Sequence, residues 1–214
     1  LLTVILPYLS ILLFIMGTAY RFFKWSGAPR HLPWVLYPIP SYPGQLQYMA
    51  SEILTFRTLL HYNLKVWVGS YLFHIGLAFF LAWFLTFLAG WPMNILGKIG
   101  GILILGGATY LFILRLISRS MRTVSSFVEF FNLGIFILFT LTGICVVYGQ
   151  RVDLVEIRDF FLGLLRFAPK TPPKETSFLI LLFIAEGFLV YLPFSKMVHY
   201  ISKYFSYHRV KWGH

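Results

Sequence analysis

The sequence predicts an all-α membrane protein, a bundle of five transmembrane helices forming one integral-membrane domain over residues 1–214. Three observations carry that prediction. Of the 214 residues 58% are hydrophobic and 12% charged, with a mean hydropathy of +0.77, more apolar surface than one soluble core of this size can hide. Several apolar runs reach the roughly 20 residues a helix needs to cross a bilayer. The basic residues gather at the ends of those runs, where membrane topology accounts for a formal net charge of +11 better than a polyanionic partner does. Nucleic acid is set aside on that ground, and membrane lipid takes its place. The one cysteine, Cys145, precludes an internal disulfide or a cysteine-only metal site and reads as a small buried hydrophobe.

The first span covers about residues 3–23. With no basic n-region and no initiator methionine ahead of it, it is expected to be structural and not a cleaved signal. Residues 26–48 hold Pro33, Pro38, Pro40 and Pro43 and predict an irregular loop on the membrane surface. Residues 51–62 place Leu54, Phe56, Leu59 and Leu60 at helical spacing opposite Arg57 and His61, the pattern of an interfacial amphipathic helix. The second span, about 66–90, contains His74 and ends at Gly90-Trp91-Pro92. The third, about 95–117, carries Gly97, Gly100, Gly101, Gly106 and Gly107, which allow either a close helix approach or room for a flat cofactor. The fourth covers about 127–148. An amphipathic surface segment at about 153–167 follows, stopped by Pro169, Pro172 and Pro173, and the fifth span covers about 177–199.

Five spans put the termini on opposite sides. The loop after the first span, the turn after the third and the C-terminal tail share one side. That side carries Arg21, Lys24, Arg30, Arg57, Lys65, Arg115, Arg119, Arg122, Lys203, Arg209 and Lys211, whereas the turn after the second span has only Lys98. By the positive-inside rule the basic side is cytoplasmic, with the N-terminus outside and the C-terminus in the cytoplasm, as in a multi-pass protein of the cell inner membrane.

Only two histidines lie in apolar segments: His74, and His199 at the end of Pro193-Phe194-Ser195-Lys196-Met197-Val198-His199. Two imidazoles from helices of opposite direction are the axial ligands that a membrane b-type haem requires. His74 lies nine residues past Lys65, about 13 Å along a helix, so both fall in the cytoplasmic half. Their depths match if the fifth helix tilts or runs on to Phe205. Spacing alone leaves a second reading equally open, in which each histidine only hydrogen-bonds a neighbouring helix. Lys196, Arg115 and Arg119 suit haem propionates, or else lipid phosphate and topology. Glu186 is the one acid deep in the fifth span and can exchange a proton with a quinol or hydrogen-bond a neighbouring helix. Glu129 offsets a helix dipole or pairs with an arginine.

Phe73-His74-Ile75-Gly76, the arginine-rich turn after the third span and the PFSKMVH end of the fifth resemble the gamma subunit of respiratory nitrate reductase and its relatives. Those relatives are the cytochrome b subunits of sulfate-reducer and heterodisulfide-reductase-like redox complexes, and Glu52-Ile53-Leu54-Thr55-Phe56-Arg57 resembles the sulfate-reducer branch. The resemblance implies haem b, a quinone (menaquinone or ubiquinone) and an iron–sulfur partner on the cytoplasmic face. It also implies a quinone role for Lys98, by position. The family subunit carries two haems, and its second ligand pair would fall here at Phe84 and Leu181, ten residues after His74 and eighteen before His199. One bis-histidine haem, the cytoplasmic one, is therefore expected, with quinone near it or in the outer pocket within reach of it. Two other classes are a haem-free structural anchor of such a complex and a small transporter. The transporter is disfavoured, because Glu186, Asn132 and a few hydroxyls are too few intramembrane polar groups for a transport path.

Overall fold

The computed structural model describes residues 2–27 and 41–207. The expectations placed on Arg30, Pro33, Pro38, Pro40, Arg209 and Lys211 lie outside the described residues. Within them every regular element is helical: α1 (Leu2–Ser26), α2 (Tyr42–Thr55), α3 (Arg57–Tyr62), α4 (Leu64–Ala89), α5 (Asn94–Ile117), α6 (Arg119–Val124), α7 (Phe127–Ile144), α8 (Leu154–Leu165), α9 (Thr176–Tyr191) and α10 (His199–Phe205). Five segments are long and apolar enough to cross a membrane: Thr3–Ser26, Leu64–Ala89, Asn94–Ile117, Phe127–Gly149 and Thr176–Phe194. They are the five spans the apolar runs predict.

Three boundaries differ from the sequence reading, each for a physical reason. The loop expected over 26–48 gives way to helix at Tyr42, because Pro43 sits in the first turn, where its missing N–H has no intrahelical partner to lose. The single amphipathic helix expected over 51–62 is two helices, broken at Phe56, whose backbone is left-handed (φ 49, ψ 46). The fifth span does not run as one helix to His199. It ends at Tyr191, passes through a 3₁₀ turn at Leu192–Phe194, breaks at the extended Ser195 (φ −88, ψ 171), makes a second 3₁₀ turn at Lys196–Val198 and restarts as α10. The last turn of the fourth span widens into a π-helix at Cys145–Gly149, and Cys145 is exposed, not buried.

The chain divides into two compact units. The second, Glu52–Ile184, is organised by the antiparallel pair α4–α5. Glycines seven residues apart on each helix, Gly69 and Gly76 on α4 and Gly100 and Gly107 on α5, bring the two backbones together. A Cβ at Gly76 would stand 2.7 Å from the Ile104 amide nitrogen, and one at Gly107 2.7 Å from that of Phe73. A spacing of seven keeps one seam facing the partner helix. Of the alternatives left open for the glycines of α5, Gly97, Gly100 and Gly107 serve close approach, to the Trp83 ring and to the α4 backbone. Gly106 has nothing within 4 Å of its Cβ position. Ile104, Ala108, Leu111, Leu133 and Phe73 form the buried core. At the far end of α4, Gly90 adopts φ 90, and Arg158 of α8 donates from Nε to the Leu88 carbonyl at 3.4 Å. A long cationic side chain thus closes the helix C-terminus.

The first unit, Leu1–Ser51 with Ala185–His214, is built on one face of α1. The Cβ position of Gly17 lies 2.9 Å from Pro193 Cβ, Thr18 Oγ1 is 3.1 Å from the Tyr200 hydroxyl, and Phe22 and Trp25 pack edge-on against Phe205.

Candidate functional site

His74 sits in the regular part of α4, in the second unit. Its Nδ1 is 2.7 Å from the Ser70 carbonyl. A carbonyl only accepts, so the proton is on Nδ1 and Nε2 carries the lone pair, as in a metal-ligating histidine oriented by its own helix. Two aromatic edges fix the ring further: Phe56 at 4.8 Å and 79°, and Phe73 at 5.3 Å and 86°. The residues one turn away on the same face are Ser70 and Ala78, both small. His74 stands about 100° round from Phe73, which faces α5, so its face is not that of the glycine seam.

The seam also sets the level of the other candidates in this unit. Gly107 meets Phe73 and so lies level with His74. Arg115, eight residues on, is about 12 Å towards the end where Lys65 shares a groove with Tyr110, Ile113 and Ile117. Its NH1 donates to the Leu111 carbonyl at 3.2 Å, and its Nε is buried with no partner among the described residues. Glu129 acts electrostatically on Arg115, and its carboxylate also accepts from the Ser126 backbone N–H at 2.7 Å and from the Ser126 hydroxyl. The helix-start role expected of Glu129 is therefore present as a capping box with Ser126. Arg119 is exposed at the start of α6. Lys98 is exposed in the first turn of α5, nine residues to the other side of Gly107, about 13 Å away along the axis.

His199, Lys196 and Glu186 belong to the first unit. Ser195 makes the break that precedes His199: its Oγ donates to the Leu192 carbonyl at 2.9 Å and accepts from the Met197 N–H at 3.1 Å. The Pro193 carbonyl, which would have bonded that N–H in a continuous helix, instead takes Arg21 Nε at 3.2 Å. The Met197 N–H and the Pro193 carbonyl, parted by the break, are thus each satisfied. His199 is exposed as a residue, yet its ring is desolvated enough to lie below its usual pKa range. Donation to the Lys196 backbone carbonyl opposes that shift, and the charge of Lys203 adds to it. The neutral imidazole, the ligating form, is favoured. Lys196 is exposed. Glu186 is 6% exposed, and its Oε1 has no partner among the described residues. An orphaned carboxyl oxygen in a membrane span marks a place for a ligand or a proton.

Two residues escaped the sequence reading. Arg21 was legible only as one topological charge among many, and Phe56 only as an apolar position in a helical pattern. Pro193 signalled a break in the fifth span but not which side chain its carbonyl would meet. Nothing in the pattern signalled the left-handed backbone of the second.

The family model of the nitrate reductase gamma subunit matches residues 87–213. That stretch runs from the end of α4 through α10 and takes in Lys98, Arg115, Arg119, Glu186, Lys196 and His199. The Hdr-like menaquinol oxidoreductase cytochrome b-like subunit of Archaeoglobus fulgidus is 24% identical over an alignment 256 positions long, gaps included, which covers 95% of this chain and 77% of that protein. With more than half of its length matched by one family model, the chain belongs to the nitrate reductase gamma subunit family.

Proposed function

We propose that the chain is the haem b-containing membrane subunit of a menaquinol-linked redox complex, with His74 and His199 as the axial ligands of a single haem. The observation that carries this reading is the tethering of both rings. Each imidazole is tied through one N–H to a backbone carbonyl three or four residues earlier, Ser70 for His74 and Lys196 for His199. Such a bond sets the tautomer and orients the ring, as the outer partners of metal-ligating histidines do. The family and the Archaeoglobus relative support the same conclusion. Bound there, haem supplies a one-electron carrier between quinol and an iron–sulfur partner.

The remaining candidates take roles their own atoms suit. Arg115, whose Nε has no partner among the described residues, and Lys196 and Arg119, both exposed, offer cations to the propionates. Glu186 accepts the quinol proton at its carboxylate, and Lys98 donates a hydrogen bond to a quinone carbonyl. The outer ligand pair of the two-haem relatives is replaced by Phe84 and Leu181. Phe84 packs edge-on against Phe161 of α8 at 5.4 Å, which supports one haem instead of two. The basic face is cytoplasmic and receives the iron–sulfur subunit, with the N-terminus outside the cell inner membrane.

A dithionite-reduced minus oxidised spectrum of the purified complex tests this. A b-type alpha band with one haem per chain is expected, lost in His74→Ala and in His199→Ala. A chain without haem is a structural anchor, and a band that survives both substitutions refutes the ligand assignment.

A further inference from the structure

The search for an unassigned role leads to the break between α2 and α3. Phe56 has φ 49, a conformation that L side chains with a Cβ avoid, and one that persists only where the surroundings over-determine it. Here they do, on both sides. Trp67 Nε1 of α4 donates to the carbonyl of Thr55, the residue before Phe56, at 2.7 Å. The buried carboxylate of Glu52 accepts from the N–H of Thr58 at 2.9 Å and from its hydroxyl at 2.5 Å, two residues after Phe56. The chain is pinned to α4 ahead of Phe56 and to α2 beyond it. Of the two residues between these anchors, Phe56 takes the left-handed turn and holds its ring edge-on against the His74 imidazole at 4.8 Å and 79°.

We infer that Phe56 is a positioning residue that fixes the plane of the His74 imidazole. The inference rests on His74 being a haem ligand and adds to that reading the group that sets its rotation. The Ser70 carbonyl holds Nδ1 and so restrains rotation about the Cβ–Cγ axis through that edge of the ring, and the flanking aromatic edges bear on the rest of it. Phe73 is one of these and is committed to the α5 core. Phe56 is the other, and it arrives from outside α4. With His74 as an axial ligand, the orientation of its plane would bear on the g-tensor of the low-spin ferric haem, and an apolar edge beside it would limit water on that side. The segment Glu52–Arg57, which the fifth span and its ligand do not touch in sequence, thereby becomes part of the redox site.

The test uses the purified complex carrying Phe56→Gly, which adopts the same backbone without strain, and Phe56→Leu, which keeps apolar bulk without the aromatic edge. Both are expected to retain one haem per chain, with a shifted largest g-value in the ferric EPR spectrum and a lowered midpoint potential, the larger change in Phe56→Gly. A residue that only supports the fold would change thermal stability and leave both signatures in place. Unchanged g-values and potential in Phe56→Gly overturn the inference alone. Retention of haem by His74→Ala overturns the ligand assignment and this inference with it.

Discussion

Gly106 and Gly107 are neighbours in α5 with opposite surroundings, and exchanging each for alanine isolates what the α4–α5 seam contributes. At Gly107 the new Cβ would lie 2.7 Å from the Phe73 amide nitrogen, 2.9 Å from the Gly69 carbonyl oxygen and 2.9 Å from Phe73 Cα. All three are backbone atoms, so no side chain can swing aside. Ordinary contact begins near 3.4 Å, and the helices must part by about 0.7 Å at that level, loosening the packing of Ile104, Ala108 and Leu111 against Phe73. Overpacking of this kind costs about 1–3 kcal/mol, and at about 2–4 °C per kcal/mol for a chain of this length the apparent melting temperature in detergent should fall by several degrees. Gly106→Ala meets nothing within 4 Å and gains the better helix former, so it should be neutral or slightly stabilising. Phe73 also flanks His74, so Gly107→Ala should perturb the haem spectrum while Gly106→Ala should not. Equal melting temperatures for the two variants, or a larger loss at Gly106, would refute the seam as described.

Three further outcomes are expected. Gly90→Ala forces a Cβ onto φ 90 and to within 2.9 Å of the Arg158 guanidinium, and should cost about 1 kcal/mol or more. Part of that loss should vanish in an Arg158→Ala background, which a double-mutant cycle of melting temperatures reads. Arg21→Ala removes the donor to the Pro193 carbonyl, a loss of about 1–3 kcal/mol if that oxygen stays shielded from water. Amide exchange over residues 192–199 should quicken, and unchanged exchange there would count against the clasp. Glu186→Gln should leave haem content and spectrum intact and lower quinol turnover, and full turnover in the variant would remove Glu186 from the proton path.

Hydropathy was enough for the five spans, because crossing a bilayer demands length and apolarity and little else. It could not locate the breaks, because a break is a matter of hydrogen-bond partners. Leu192-Pro193-Phe194 is as apolar as the helix before it, and the interruption is visible only once the Met197 N–H is seen to go to Ser195 Oγ and the Pro193 carbonyl to Arg21. Pro43 misled in the other direction, read as a breaker although a first-turn proline starts a helix as readily. The glycines of α5 were ambiguous singly. Their resolution lay in a matched spacing of seven on α4 and α5, a signal present in the sequence but meaningful only once the two helices are known to pair.

The break in the fifth span also bears on how far periodicity can be trusted for a ligand. Phe178, Leu182 and Glu186 are all buried at spacings of four on α9, one continuous stripe. Had α9 continued unbroken, the thirteen residues from Glu186 to His199 would have turned His199 about 140° away from that stripe, at ~100° per residue. The extended Ser195 cancels that inference, since a residue with ψ 171 resets the rotation of everything after it. The direction of His199 is therefore governed by the Ser195 cap, the Arg21 bond to Pro193 and the Thr18 contact to Tyr200. The direction of His74 is governed by its own helix and by Phe56. In the proposed one-haem chain no second iron would relay electrons, so transfer would depend on how these two imidazoles are held. That is a physical reason for each to be fixed by partners of its own instead of by helix periodicity alone.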